Sequence, residues 1–148
     1  MNTGDLAPDF TLNDQDNNSV SLSSLLAKGP VVLFFYPAAM TKGCTKEACY
    51  FRDLASEFAA LNAQRLGISM DDVDRQKQFA QSSTLDYPLL ADHDGAVARA
   101  YGVKRALDFL KVRRTTFVIG QDRKILDVIA HEMNMNVHAD RALAALRA

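Results

Sequence analysis

The chain has 148 residues, 48% hydrophobic and 24% charged, with 17 Lys+Arg against 18 Asp+Glu and a formal charge of −1. That length suits one domain over residues 1–148 with a core of its own, and the composition excludes collagen, coiled coil and a disordered chain. The charge balance supplies no basic field for nucleic acid, two cysteines are too few to staple a secreted scaffold, and no apolar run reaches the roughly 20 residues that cross a bilayer. Taken in order, Phe10-Thr11-Leu12 and Ser19 to Leu22 flank an Asn/Asp turn and predict a small N-terminal hairpin. Val31 to Tyr36 is a β-branched and aromatic run ended by Pro37, which predicts a buried strand. From Thr45 to about Ala63 the apolar positions Ala48, Phe51, Leu54, Ala55, Phe58 and Leu61 recur at helical spacing. Arg65 to Met70 predicts a second strand, and Asp71-Asp72 cap a helix running to about Ser83. Tyr87 to Ala91 is extended up to a turn at Asp92-His93-Asp94-Gly95, and a short helix follows, stopped by Gly102. Thr115 to Ile119 and Ile125 to Ala130 form a hairpin around Gly120 to Arg123, and Ala139 to Leu146 closes as a helix. The order of elements implies an α/β fold, a central mixed sheet flanked by helices on both faces.

The chemistry concentrates between Pro37 and Cys49, where the buried strand joins the long helix. Cys44 falls at or within the first helical turn, where free N–H groups and the positive end of the dipole stabilise an anion. For a cysteine that anion is the thiolate, the nucleophilic form. At about 100° per residue, Cys44 and Glu47 share the sector of Phe51, Leu54, Ala55 and Phe58, whereas Cys49 projects to the other side. A carboxylate on an apolar face needs pairing, so Glu47 calls for a cation, an arginine from another element. Plainer readings stand beside these: Glu47 as a first-turn residue serving the helix dipole, and Cys49 as a small buried hydrophobe. The stretch from Lys104 to Arg114, with basic residues at 104, 105, 111, 113 and 114 and one acid, Asp108, is either a solvated loop or in part a wall facing an anion. His93, His131 and His138 show no metal-ligand spacing, and the conformation of Glu132 to His138 stays open.

At this point the chain resembles a peroxiredoxin, of the bacterioferritin-comigratory-protein or peroxiredoxin Q subgroup. Pro37, Thr41 and Cys44 match the family's Pro-x3-Thr-x2-Cys signature, and Cys44 to Asp53 is similar to the subgroup's Cys-Thr-x-Glu-x-Cys run with its following aromatic and Arg-Asp. The similarity extends to Gly4–Phe10, Tyr87–Asp92, Ala100–Val103 and Arg114–Ile119. Lys42 and His93 stand where the subgroup usually has proline, and Gly120 where it has aspartate. The resemblance implies a thioredoxin-like fold, with Cys44 as peroxidatic and Cys49 as resolving cysteine. It implies that Thr41 hydrogen-bonds the sulfur and the peroxide, that Arg114 polarises both, that Pro37 shields the pocket and that Glu47 orients Arg114.

The activity so implied is thiol-dependent reduction of hydrogen peroxide and organic hydroperoxides. It proceeds through a sulfenic acid and an intramolecular disulfide, with thioredoxin or glutaredoxin as reductant. No haem, flavin or metal cofactor is implied, nor a nucleic-acid or membrane partner, and a monomer is expected rather than a dimer. Met1 to Thr11 lacks the pattern of a signal peptide, so the expected compartment is the cytoplasm. A disulfide reductase of the same fold would carry Cys-x2-Cys at the helix start. A non-catalytic binding module would be expected to lack Thr41, Cys44 or Arg114.

Overall fold

The computed structural model describes residues 1–148, the side chain of Asp108 excepted. Its centre is β3 (Val31–Phe35), buried along its whole length. To one side β3 pairs in parallel with β4 (Gln64–Ser69), which pairs in parallel with β5 (Leu89–Ala91). To the other side it pairs antiparallel with β6 (Thr115–Ile119), itself antiparallel to β7 (Ile125–Ala130). The five-stranded order is β5-β4-β3-β6-β7, and β1 (Thr11–Asn13) with β2 (Ser19–Ser21) form a separate hairpin.

Strand alternation divides the core. Val31, Leu33 and Phe35 face a cluster containing Phe10, Leu22, Leu26, Val97, Tyr101 and Phe117. Val32, Phe34 and Tyr36 face the opposite cluster, to which α2 (Lys42–Asp53), α3 (Ala55–Ala60), α4 (Val73–Ser82) and α6 (Asn136–Arg147) contribute. Phe34 and Phe51 stack there with centroids 4.3 Å apart, fixing α2 against the sheet. The first face is covered by the hairpin, α1 (Leu22–Leu26) and α5 (Ala96–Ala100).

Three boundaries differ from expectation. The helix predicted from Thr45 to about Ala63 starts earlier, at Lys42, and breaks at Leu54, whose φ of −95° and ψ of 20° separate α2 from α3. Arg65 Nη1 donates to the Phe51 carbonyl at 2.9 Å just before the break. Phe51 and Phe58 lie two turns apart and both stay buried, so the hydrophobic period passes across the break undisturbed. Leu22, expected to end a strand, opens α1 instead, because Ser21 caps it by accepting from the Ser24 amide. The last helix begins at Asn136, which draws His138 onto its buried face. Elsewhere Asp72 caps α4 and Gly102, at φ +73°, follows α5, both as expected.

Candidate active site

The loop leaving β3 at Tyr36 carries Pro37, half-buried, and passes through Met40 in the left-handed region at φ 64° before Thr41 starts α2. Asp71, following β4, holds this loop in place. Its Oδ2 accepts from the Ala39 amide at 2.7 Å and from Ser69 Oγ at 2.6 Å. Gln76 Nε2 donates to Ser69 Oγ at 3.0 Å, and Gln76 Oε1 accepts from the buried Tyr36 hydroxyl. The sequence suggests Asp71 only as a helix cap. A loop-anchoring role leaves no mark in local sequence, because Ala39 lies 32 positions away.

Cys44 lies in the first turn of α2, 1% exposed, and is a free thiol. Arg114, 6% exposed and immediately before β6, donates from Nη2 to Cys44 Sγ at 3.3 Å and from Nη1 to Glu47 Oε1 at 2.7 Å. The cation demanded by Glu47 is therefore Arg114. Arg113 points to solvent, as alternation along an extended chain requires. Gly43 permits the close approach: a Cβ there would meet Arg114 Nη2 and Met135 Cε, each at 3.3 Å. Glu132 fixes the arginine's backbone, accepting from the Arg114 amide at 3.2 Å and from Arg105 Nη2 at 2.8 Å. The basic stretch thus divides: its last residue reaches Cys44 and Glu47, while Lys111 and Arg113 are exposed.

Burial opposes the charge of Arg114, but Glu47 and Cys44 beside it prevail and lift its pKa. Burial likewise disfavours ionised Glu47, and its carboxyl is raised to about 7 despite the pull of Arg114. Thr41 departs from expectation. Its hydroxyl donates to the Ala38 carbonyl at 2.9 Å instead of to the cysteine sulfur, because the turn through Met40 brings that carbonyl within reach. Cys49, five residues along α2, is half-buried and free. His138 has no ligand spacing in the sequence, yet it is fully buried behind Glu47 with Nδ1 3.6 Å from Oε2. The signal that points to it is its place on the apolar stripe with Ala139 and Ala142, visible only with the helix started three residues earlier. Among the described residues no group of three or more His, Cys, Asp or Glu is arranged to hold a metal ion.

The AhpC/TSA family model matches residues 3–128. Peroxidoxin BcpB from Mycobacterium tuberculosis is 60% identical, and its crystal structure superposes with a TM-score of 0.96 over 99% of this chain and 97% of that one. A chloroplastic peroxiredoxin Q from Suaeda salsa is 39% identical over 147 residues, covering 99% of this chain and 68% of that protein. The bacterioferritin comigratory protein of Xanthomonas campestris, 29% identical, superposes with a TM-score of 0.85 over 93% of this chain and 90% of that one. A family match across most of the chain, on a thioredoxin-like framework with a buried thiol held by an arginine, leaves one conclusion: the chain belongs to the AhpC/TSA family as a peroxiredoxin of the Q type, a thiol-dependent peroxidase.

Proposed function

We propose that Cys44 is the peroxidatic cysteine and Cys49 the resolving one. The observation that carries this is the 3.3 Å contact from Arg114 Nη2 to Cys44 Sγ at the N-terminus of α2. Cation and helix dipole converge on one sulfur and favour its thiolate. The thiolate attacks the terminal oxygen of a hydroperoxide, the S–O bond forms as the O–O bond breaks, and the leaving oxygen takes a proton to depart as water or alcohol. Arg114 faces the oxygens on which charge develops, and Glu47 holds the guanidinium at the angle required. Thr41, exposed just ahead of α2, turns its hydroxyl from the Ala38 carbonyl to the bound peroxide, and Pro37 limits water access.

The Cys49 thiol then condenses with the sulfenic acid, releasing water and leaving a disulfide. A dithiol protein, thioredoxin or glutaredoxin, reduces it by exchange. Both hydrogen peroxide and organic hydroperoxides are substrates in this reading. Alkyl peroxide reduction is an activity of the Xanthomonas bacterioferritin comigratory protein, which supports the second class. The disulfide closes within one chain, which supports action as a monomer, and two free thiols suit a reducing cytoplasm. No described helix is long and apolar enough to cross a membrane. The test is peroxide consumption with thioredoxin or glutaredoxin as electron source. The native protein turns over, Cys44→Ser does not, and Cys49→Ser forms a sulfenic acid without the intramolecular disulfide. Turnover by Cys44→Ser would refute the assignment.

A further inference from the structure

Arg114 reaches Cys44 from just ahead of β6, and a carboxylate holds it at each end. At the guanidinium end Glu47 Oε1 accepts from Nη1 at 2.7 Å. At the backbone end the β6–β7 ladder is irregular. One step beyond the Thr115–Ala130 pair, the His131 amide donates to the Arg114 carbonyl at 3.3 Å. In a regular antiparallel pair the opposite carbonyl takes the returning amide. Here the His131 carbonyl accepts from His138 Nε2 at 2.7 Å, and the Arg114 amide donates to the side chain of Glu132, 3.2 Å from Oε1. Between the two ends Arg114 Nε is buried with no hydrogen-bond partner among the described residues, so the ends alone steer the side chain by hydrogen bonds.

Arg105 sets the direction of the Glu132 carboxylate, its Nη2 donating to the same Oε1 at 2.8 Å. Arg105 is itself fixed at the neck of the loop that follows α5. Its amide donates to the Lys111 carbonyl at 2.9 Å, the Arg113 amide donates to the Val103 carbonyl at 2.9 Å, and Lys104 bridges antiparallel to Val112. One oxygen thus joins that loop, the β7–α6 turn and the Arg114 backbone. The Arg105–Glu132 pair is partly exposed and contributes little to stability. What a carboxylate oxygen with two N–H donors supplies is direction.

We propose that Glu132 is a positioning residue for the peroxidase reaction: as acceptor for the Arg114 amide, aimed by Arg105, it sets the backbone from which the guanidinium meets Cys44. This deepens, and rests on, the reading of Cys44 as the attacking thiolate. Without that acceptor the strand end shifts, and Nη2 leaves the line on which charge develops as the O–O bond breaks.

The test compares two rates in a Cys49→Ser background, sulfenic acid formation with hydrogen peroxide and alkylation of Cys44 by iodoacetamide. Both are measured at alkaline pH, where the thiol is ionised wherever the guanidinium lies. Glu132→Ala is expected to slow the peroxide reaction about tenfold to a hundredfold, the cost of a small misplacement, and to leave alkylation unchanged. Glu132→Gln, whose amide oxygen accepts both hydrogens, restores most of the peroxide rate. Arg105→Ala loses less than Glu132→Ala, because the bond to the Arg114 amide survives. Arg105→Glu combined with Glu132→Arg restores the ion pair, yet an arginine at 132 cannot accept, so the peroxide reaction stays slow. A merely structural Glu132 would move both rates together. Recovery in the charge exchange, Glu132→Gln as slow as Glu132→Ala, or equal changes in the two rates overturns the proposal. If Glu132→Ala does not fold, Glu132→Asp, which keeps the charge and withdraws the oxygen by one methylene, takes its place with the same expectation. A Cys49→Ser protein inert to peroxide overturns the Cys44 assignment itself.

Discussion

Arg114 is a single side chain with two acceptors, and its geometry divides the work between its terminal nitrogens. Nη1 faces Glu47 and Nη2 faces Cys44, so the planar fork fixes a distance between them that a flexible lysine would not. Buried pairs of this kind contribute little net stability, because desolvation offsets the attraction. Their use is orientation. Replacing Arg114 with alanine removes the donor aimed at the Cys44 sulfur and leaves buried Glu47 without its cation. The rate of reaction with peroxide is expected to fall on the order of a hundredfold to a thousandfold, the range for loss of one preorganised donor. Arg113→Ala, at an exposed position, should stay within about threefold, since it alters only screened surface charge. Stopped-flow measurement on both variants checks this, and equal losses would mean that general charge rather than aim is at work.

At the scale of elements, α2 holds both cysteines in one unbroken helix from Lys42 to Asp53. Residues five apart in a helix are separated by roughly 8–9 Å at Cα, on faces about 140° apart. A disulfide needs less than about 7 Å. The first turns of α2 must therefore melt for Cys44 to meet Cys49. The Tyr87 hydroxyl on the Ala48 carbonyl at 2.7 Å and Arg65 on that of Phe51 at 2.9 Å anchor the far half and limit the spread. Hydrogen exchange on reduced and oxidised protein is expected to show amides from Thr45 to Phe51 protected in the first and open in the second. Unchanged protection with the disulfide confirmed by mass would rule this out. The burial of Cys44 and Glu47 on one face of this helix was legible in sequence, because helical angles depend only on spacing. The break at Leu54 was not, since Phe51 and Phe58 keep their period through it. Nor were Asp71 and His138, whose partners lie 32 and 22 positions away and are fixed only when the sheet brings distant strands together. The turned hydroxyl of Thr41 was equally hidden, as it depends on the backbone at Met40.

For the whole molecule, the buried Glu47–His138 pair ties folding to pH in a way that the near-zero net charge does not reveal. Between its ordinary value of 4.5 and about 7, Glu47 keeps in the folded chain a proton that the unfolded chain has lost. Its contribution is present below 4.5 and is lost as pH rises to about 7. His138 works the other way: between about 4 and its ordinary 6.5 the unfolded chain binds a proton that the folded ring refuses. That contribution is present above 6.5 and is lost as pH falls to about 4. The two slopes cancel from 4.5 to 6.5, leaving a plateau with a decline at each end. Asp92, also raised by burial, adds a fall of its own as pH rises above its ordinary 3.8, so the pair is best isolated as differences between proteins. Denaturant unfolding across pH should show Glu47→Gln gaining on the native protein as pH rises to about 7, because the variant has no charge to bury. His138→Gln should gain as pH falls from 6.5 towards about 4, because the variant leaves no proton to be refused. A native protein that gains on Glu47→Gln through the neutral range would mean that the carboxyl folds ionised, with the Arg114 pair outweighing its burial.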